Sequence, residues 1–277
     1  MPSPNVFDPV EVLDHGFVRL VSYMGSDAAI CEAARVSYLS NKTASASNDE
    51  ALIRYLMRHN HTSPFEMCEL VFHVKLPIFV ARQWMRHRTW SYNEISGRYS
   101  ELPAETYIPK AEDVAAQAKN NKQGRGGKLP EAIVENFQRD CLFIKDQAFS
   151  CYEEGLNASV AKELARINLP LATYTEFYCK ADLHNLFHFL KLRLDPHAQY
   201  EIRVYAEAIM DIVQELFPLA SFAFYDYRLK GTSLSFNEYM VVSAVLKNAN
   251  WDLIRDLLMD SGSSEREITE FISKFRV

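Results

Sequence analysis

The sequence predicts an α+β fold, with a mixed or antiparallel central sheet, long packed helices and a helical C-terminal appendage. Two observations predict the sheet and the helices. Few segments show the alternation of apolar and polar residues that is typical of strands, and these lie between segments with the pattern of amphipathic helices. The sequence has no evident internal repeat. A third observation predicts the appendage: beyond Lys230 the pattern changes to short helices. We therefore expect two domains, residues 1–230 and residues 231–277.

In the first half of the chain, alternation predicts the strands and capping patterns predict the helix starts. Ser47 and Glu50 form a capping-box pattern ahead of an apolar helix. Residues 91–110 are predicted to be irregular. Residues 119–128 carry four positive charges and three glycines, which favours a mobile, solvated linker over a binding lid. The predicted elements are a strand at residues 17–24, helices at 27–35 and 51–58, a strand at 69–76 and a helix at 78–87.

In the second half, Pro130 is suited to begin a long amphipathic helix that Gly155 can end. Asp182 is suited to cap the start of another helix, and Ser264 and Glu267 form a second capping-box pattern. The predicted elements are helices from Pro130 to Gly155 and at residues 159–166, a strand at 171–179, helices at 182–192 and 197–216, and two or three short helices beyond Lys230.

The composition is that of a globular protein, with 48% hydrophobic and 24% charged residues. Thirty basic residues against 36 acidic ones give a net charge of −6, which disfavours a generic duplex-binding surface. Five cysteines are too few, and odd in number, for a disulfide scaffold. We expect no targeting or membrane segment, because the N-terminus lacks a basic start and residues 70–81 are short and interrupted by charge. These features predict a cytoplasmic protein that binds neither membranes nor nucleic acid.

The densest polar cluster of the sequence is the segment at residues 86–99. It holds three arginines, two serines, one histidine and one glutamate within 14 residues, and it has no lysine. Arginine offers a planar fork of donors that suits phosphate and carbonyl edges, and serine and glycine amides can add neutral donors. The pattern favours an anion or nucleotide site, and a structural ion-pair network is the alternative.

The string RHRTWSYNEISGRYS, which begins at Arg86, is similar to the RHRxxSxNExSxR signature of flavin-dependent thymidylate synthases. All eight specified positions match without a gap. Other segments resemble the family in the family's order, and the resemblance covers roughly residues 15–230 but not the C-terminal extension. These segments are ARVS at 34–37, HNHTSPFE at 59–66, PIFVARQW at 77–84, LARINLPL at 164–171 and LKLRLDPHAQYEI at 190–202.

The resemblance implies an enzyme that makes dTMP from dUMP. Methylene-tetrahydrofolate would supply the carbon, and FAD, reduced by NADPH, would supply the hydride. Members are homotetramers with FAD where subunits meet. The resemblance implies that Arg193 is catalytic, because a guanidinium beside uracil stabilises its ionised form. The residues implied to bind dUMP, largely through its phosphate, are Gln83, Arg86, Glu94, Ser96, Gly97, Arg98, Arg166 and Arg193.

The resemblance also implies a flavin site with two elements. The second would begin at Asp182, where a helix N-terminus offers free amides. Here the chain has Asp182, His184 and His188 where the family usually has asparagine, arginine and asparagine. We therefore expect weaker FAD binding that strengthens at mildly acidic pH, where histidine is protonated. The implied FAD residues are Ser37, Ser63, Arg86, His87, Arg88, Glu94, Asp182, His184 and His188, and His61 and Tyr99 would lie on the folate side.

Several alternatives stay open on the sequence. None of the five cysteines has a flanking basic cluster, so each is predicted to be a buried apolar residue and not a nucleophile. His59 and His61 with Glu66 lack a third ligand nearby, so we expect no metal. A catalytically inactive, regulatory nucleotide- or flavin-binding protein is the main alternative to the enzyme. A nucleic-acid-binding module would rest only on the basic segment 119–128 and conflicts with the net charge.

Overall fold

The computed structural model describes residues 5–37, 49–119 and 124–275. The chain divides into two compact units, Met1–Lys230 and Gly231–Val277. Within the described ranges, no helix is both long enough and apolar enough to cross a membrane.

The first unit is built on a five-stranded antiparallel sheet. Its strands are β1 (Val10–Val12), β2 (Gly16–Met24), β3 (Glu69–Pro77), β4 (Ser91–Glu94) and, later in the chain, β7 (Tyr174–Asp182), and β5 (Ala115–Gln117) and β6 (Arg125–Lys128) form a separate two-stranded ribbon. The spatial order is β1-β2-β3-β7-β4, and every pairing in it is antiparallel. The predicted α+β class with an antiparallel sheet is confirmed.

Alternation along β3 explains which face of the sheet is buried. Leu70, Phe72, Val74 and Leu76 are fully buried, and the residues between them are partly exposed. Side chains on a strand point alternately to the two faces, so these four place the hydrophobic core on one face. β3 pairs with β7 without interruption from Glu69 opposite Asp182 to Pro77 opposite Tyr174.

Helices cover the apolar face of the sheet. The core gathers around Trp84, whose ring lies 4.7 Å from that of Phe189 and 5.6 Å from that of Phe177, measured between centroids. The helices of this unit are α1 (Asp27–Arg35), α2 (Asp49–Arg58), α3 (Ser63–Glu66), α4 (Ile78–Trp84), α5 (Glu131–Asn157), α6 (Lys162–Ala165), α7 (Leu183–Arg193), α8 (Tyr200–Leu216) and α9 (Pro218–Phe224), which continues into a π-helical turn (Tyr225–Leu229).

The described part of the second unit, up to residue 275, contains three short helices, in agreement with the two or three that the sequence predicts. They are α10 (Phe236–Leu246), α11 (Trp251–Asp260) and α12 (Glu265–Phe275). The predicted capping box is present, because Glu267 N donates to Ser264 Oγ at 3.4 Å and Ser264 N donates to the Glu267 carboxylate at 2.7 Å. Ile268 is fully buried.

Four expectations need correction. The helix predicted to reach His87 ends at Trp84, and Gly155 lies inside α5 instead of ending it. The segment expected to be irregular from residue 91 begins with strand β4. Part of the expected solvated linker is β6, which pairs with β5. Residues 120–123 of that segment, and Ser47 of the expected capping box, lie outside the described residues.

Candidate active site

The turn after α4 carries the first site residues. His87 N donates to Trp84 O at 3.0 Å, and Tyr92 on β4 donates its hydroxyl to the His87 carbonyl at 3.0 Å. The turn is therefore fixed both to the helix before it and to the strand after it. Arg86 and Arg88 point outward and are exposed, whereas His87 between them is only 6% exposed.

His87, Gln83 and Arg193 form one hydrogen-bonded group. Arg193 lies at the end of α7, where its Nε donates to His87 Nε2 at 3.1 Å and its Nη2 donates to the Gln83 carbonyl at 3.1 Å. Burial, then the nearby Arg193 and His188, lower the pKa of His87 to about 4. Neutral His87 accepts at Nε2, so its proton is on Nδ1. Burial also lowers the pKa of Arg193, which remains a cation with further N–H donors to offer a ligand.

This geometry gives His87 a role beside the expected one. We expected it to bind FAD together with the two arginines, which stays a prediction. Its buried, neutral imidazole accepts a hydrogen bond from Arg193 and adds no positive charge at neutral pH. Its position orients Arg193, while the exposed Arg86 and Arg88 keep the charge that a phosphate attracts.

A second group lies beyond β4, in a tight turn at residues 96–99. Tyr99 N donates to Ser96 O at 3.0 Å, and Arg98 N donates to Ser96 Oγ at 3.3 Å. Gly97 faces Arg166 so closely that a Cβ atom on residue 97 would lie 3.1 Å from Arg166 Cδ. The structure thus brings Arg166 to the turn, and glycine is the residue that leaves it room.

Two side chains flank this turn. Glu94, the last residue of β4, accepts a hydrogen bond from Thr175 Oγ1 at 2.6 Å. Arg98 Nη2 donates to Tyr99 Oη at 3.0 Å, and Tyr99 as a whole residue is 73% exposed. The Glu94 carboxylate is therefore held by a strand neighbour, and Tyr99 offers an aromatic surface to the outside.

A cavity of about 170 Å³ brings together two histidines of the predicted flavin site and one that was predicted on the folate side. His61, His184 and His188 line it, and the His188 ring lies 5.9 Å from the His87 ring. Two further cations line the same cavity, Lys191 and Arg228. Sequence reasoning missed both. The spacing of residues 184, 188 and 191 on one helix face could have revealed Lys191, but Arg228 had no such signal.

The start of α7 differs from the expected array of free amides. Asp182 caps the helix as predicted, accepting from Asn185 N at 2.9 Å. Leu183 N donates to Cys68 O at 2.9 Å. Two of the first three amides of the helix are therefore already bonded within the chain, and the Asp182 carboxylate adds a negative charge beside them. The positively charged side chains of the cavity are better placed than the amides of this helix to attract a diphosphate.

Two further residues that were predicted to bind flavin, Ser37 and Ser63, do not belong to any of the groups described so far. Ser37 follows α1 and is exposed. Ser63 begins α3, is exposed, and adjoins Thr62, which lines the cavity with the histidines.

The cysteines have the environment of structural residues. Cys31, Cys68 and Cys179 are buried, as predicted, but Cys141 is half-buried and Cys151 is exposed. Burial raises the pKa of Cys31 to about 12 and raises the pKa values of Cys68, Cys141 and Cys179. A raised pKa disfavours the nucleophilic thiolate, so none of these four is an activated nucleophile.

Comparison with known proteins gives one family. Residues 19–219 match the family model described as thymidylate synthase complementing protein. The chain is 53% identical over 245 residues to a flavin-dependent thymidylate synthase of Wolbachia pipientis wMel, covering 88% of this chain and 86% of that one. It is 47% identical over 285 residues to one of Rickettsia prowazekii (strain Madrid E), covering 98% and 95%.

A solved structure of a nucleotide methylase has the same fold. A crystal structure of the UMP/dUMP methylase PolB from Streptomyces cacaoi bound with 5-Br dUMP superposes with a TM-score of 0.73 at 35% identity, covering 80% of this chain and all of that one. The family match runs from within β2 to the start of α9 and includes every site residue described above except Arg228. Taken with the high identities to relatives over most of their length, it shows that the chain belongs to the flavin-dependent thymidylate synthases, a family of methyltransferase enzymes.

Proposed function

We propose that this protein methylates dUMP to dTMP, taking the carbon from methylene-tetrahydrofolate and the hydride from FAD that NADPH has reduced. The observation that carries the proposal is the half-buried Arg193, held by His87 and by the Gln83 carbonyl. We place this activity in residues 1–230, because every group that the proposal uses lies there.

In this proposal Arg193 activates the substrate. A guanidinium close to a uracil nitrogen favours the ionised ring and lowers the pKa of that nitrogen by about 1 to 3. The ionised, enolate-like uracil is the better carbon nucleophile, and no cysteine has to add to the ring. The raised pKa values of four of the cysteines support a mechanism of this kind.

The remaining nucleotide contacts would come from the two groups beside β4. Phosphate binding needs cations and backbone or hydroxyl donors, which the turn at residues 96–99 and Arg166 provide. The residues proposed for dUMP are Gln83, Arg86, Glu94, Ser96, Gly97, Arg98 and Arg166, with Arg193 at the ring.

The cavity beside His87 fits part of a flavin dinucleotide. Lys191 and Arg228 are cations, and His61, His184 and His188 become cations on protonation, so its lining suits a diphosphate. FAD, once bound and reduced, supplies the hydride. Arg86 and Arg88, both exposed, would complete the charge around it, with Ser37, Ser63, His87, Glu94 and Asp182 nearby and Tyr99 on the folate side.

We propose a homotetramer, in which other subunits complete each site. The cavity of about 170 Å³ is too small for a whole dinucleotide. The four residues of β4 span about 13 Å and lie between the turn at 86–88 and the turn at 96–99. The two turns are thus at opposite ends of the strand, and a second subunit would supply the turn that one subunit holds too far away. Helix α5 also exposes about half of each of Ile133, Phe137 and Ile144, and their spacing places them on one face of the helix, as a contact between subunits would need.

We also propose that the protein works in a reducing compartment such as the cytoplasm, because its five cysteines are unpaired. The inactive, regulatory flavin-binding protein that the sequence left open is not favoured, because relatives about half identical over most of the chain are flavin-dependent thymidylate synthases. Arg193 distinguishes the two, since a protein that only bound flavin would not need a held guanidinium at the nucleotide ring.

A flavin titration tests the proposed binding site. When FAD is titrated with apoprotein, binding should quench the fluorescence of the flavin. Addition of dUMP to the complex should then change the visible absorption spectrum of the bound flavin. Arg88→Ala should weaken FAD binding about tenfold, as expected for one charge-assisted contact. Arg266→Ala, an exposed arginine in the second unit, is the control and should leave it unchanged. A protein that does not bind FAD contradicts the proposal.

A further inference from the structure

A buried carboxylate lies two side chains away from the proposed nucleotide site. Glu201, on α8, is only 2% exposed. Its Oε1 accepts from the Tyr107 hydroxyl at 3.0 Å and from the Arg125 guanidinium, and its Oε2 accepts from Gln199 Nε2 at 2.9 Å. Gln199 Oε1 in turn accepts from Gln83 Nε2 at 2.5 Å. The four polar side chains Arg125, Glu201, Gln199 and Gln83 therefore form a continuous relay.

The chemistry of the groups fixes the direction of this relay. A carboxylate paired with a guanidinium only accepts hydrogen bonds, so Gln199 must turn its NH₂ group toward Glu201. The other end of the Gln199 amide, its oxygen, then faces Gln83, which must turn its own NH₂ group toward Gln199. Gln83 is left with its Oε1 acceptor facing away from the relay. The direction follows from the donors and acceptors alone, whichever way each amide is first assigned.

We propose that Glu201 is a positioning residue for the nucleotide site: acting through Gln199, it fixes which end of the Gln83 amide meets the nucleotide. The inference rests on the proposed function, which places dUMP at Gln83. It adds a specificity device, because an acceptor held in place matches a donor of the nucleotide, such as a sugar hydroxyl or a ring N–H.

The alternative is that Glu201 only fastens β6 to α8 through Arg125. A buried ion pair is weak support for stability, since desolvation offsets most of the attraction. The two roles differ in what Gln199 does. A fastening role has no need of Gln199, whereas the positioning role acts only through it.

The substitution Glu201→Gln reverses the relay without removing it. Tyr107 and Arg125 are both donors, so the new amide turns its oxygen to them and its NH₂ group to Gln199. Gln199 must then flip, Gln83 must flip after it, and the nucleotide meets a donor where it met an acceptor. We expect dUMP affinity of the FAD-loaded protein, measured by calorimetry, to fall about tenfold.

A second variant cuts the relay. Gln199 is exposed, so Gln199→Met should fold normally, and it should weaken dUMP binding about threefold by freeing Gln83 to rotate. In the Gln199→Met background, Glu201→Gln should then change dUMP affinity by no more than about twofold. Tyr107→Phe is the matched control: it removes one donor to Glu201 but leaves the relay direction intact, so dUMP affinity should stay within about twofold of the parent.

Three results would overturn the inference. The first is unchanged dUMP affinity in folded Glu201→Gln protein. The second is an equal loss from Glu201→Gln with and without Gln199. The third is unchanged affinity in Gln199→Met, which decides the matter even if Glu201→Gln does not fold. Failure of the proposed function looks different, since the parent protein itself would then not bind dUMP.

Discussion

Arg193 is held at two points, by the imidazole of His87 and by the carbonyl of Gln83. Both partners are acceptors, so the guanidinium keeps its charge and a fixed orientation. Electrostatic stabilisation of this kind works only when the cation is placed before the reaction begins. In the proposed site the substrate would therefore meet a preorganised cation.

Arg193→Ala should reduce dTMP formation about 30- to 1000-fold, because it removes a charged hydrogen bond that stabilises negative charge on uracil. FAD affinity should change much less. Arg193→Lys should recover only part of the rate, since an ammonium lacks the planar fork that bonds His87 and Gln83 at once. Steady-state rates at saturating dUMP and FAD measure this effect, and near-normal turnover of the alanine variant would show that uracil is activated elsewhere.

His87 leads to a prediction about stability and pH. Its pKa is about 4 in the folded protein, against an ordinary value of 6.5, so the unfolded chain binds the proton more readily. The free energy of unfolding should therefore fall as pH drops from about 6.5 to about 4, with a loss of about 1 to 2 kcal/mol from this residue by pH 5.

His87→Gln provides the comparison, because a glutamine oxygen can still accept from Arg193 but does not titrate. Urea unfolding of both proteins at pH 7 and pH 5 measures the effect. The parent should lose more stability than the variant over this range. Parallel losses would mean that His87 is not a buried neutral group.

The sequence predicted which residues lie at this site, but it did not predict which side chains are buried and which are exposed. The motif at residues 86–98 predicts that the arginines bind an anion, and Arg86 and Arg88 are exposed as that role requires. His87 sits between them in the motif, yet it turns inward, because the rings of Phe189 and His188 and the Arg193 guanidinium surround it. Those contacts come from α7, about a hundred residues later in the chain, so no local pattern could reveal them.

At the scale of elements, α7 joins the two halves of the proposed site. Its last residue is Arg193, and His184, His188 and Lys191 on one of its faces line the cavity. One rigid helix therefore sets the distance between the nucleotide group and the proposed flavin group. Lys191 and Arg228 supply permanent charge to that cavity, and the histidines supply charge that depends on pH.

Apparent FAD affinity should therefore rise as pH falls from about 8 to about 6, where histidine gains charge. The effect should shrink in His184→Ala and in His188→Ala and nearly vanish in the double variant. Salt should flatten it, because the cavity is partly open to water. Fluorescence titrations of apoprotein at several pH values measure it, and a profile that the double variant leaves unchanged would assign the diphosphate to the arginines alone.

Element boundaries show where local patterns are insufficient. β3 was predictable because its apolar residues alternate, and the capped starts of α7 and α12 were predictable because capping is local. β4 was not, since Ser91 to Glu94 carry no apolar alternation and form a strand only by pairing with β7. Gly155 stays within α5, because an interior glycine costs a helix only about 1 kcal/mol and packing can offset that.

At the scale of the whole molecule, each of the two units has its own secondary structure, and the proposed chemistry needs only the first. Membership of the family is shown by residues 19–219, and the relative from Rickettsia prowazekii matches nearly the whole chain, the second unit included. In the proposed homotetramer a single subunit would present one wall of the flavin site, and the sequence of one chain does not encode a partner surface as a local pattern.

The most direct test of the proposed activity is turnover by the purified protein with analysis of both products. Protein supplied with dUMP, methylene-tetrahydrofolate, NADPH and FAD should form dTMP, and omission of any one component should stop it. The folate should accumulate as tetrahydrofolate, because the hydride comes from the flavin and not from the folate. Accumulation of dihydrofolate, or dTMP formation by protein shown to be free of flavin, would contradict the account.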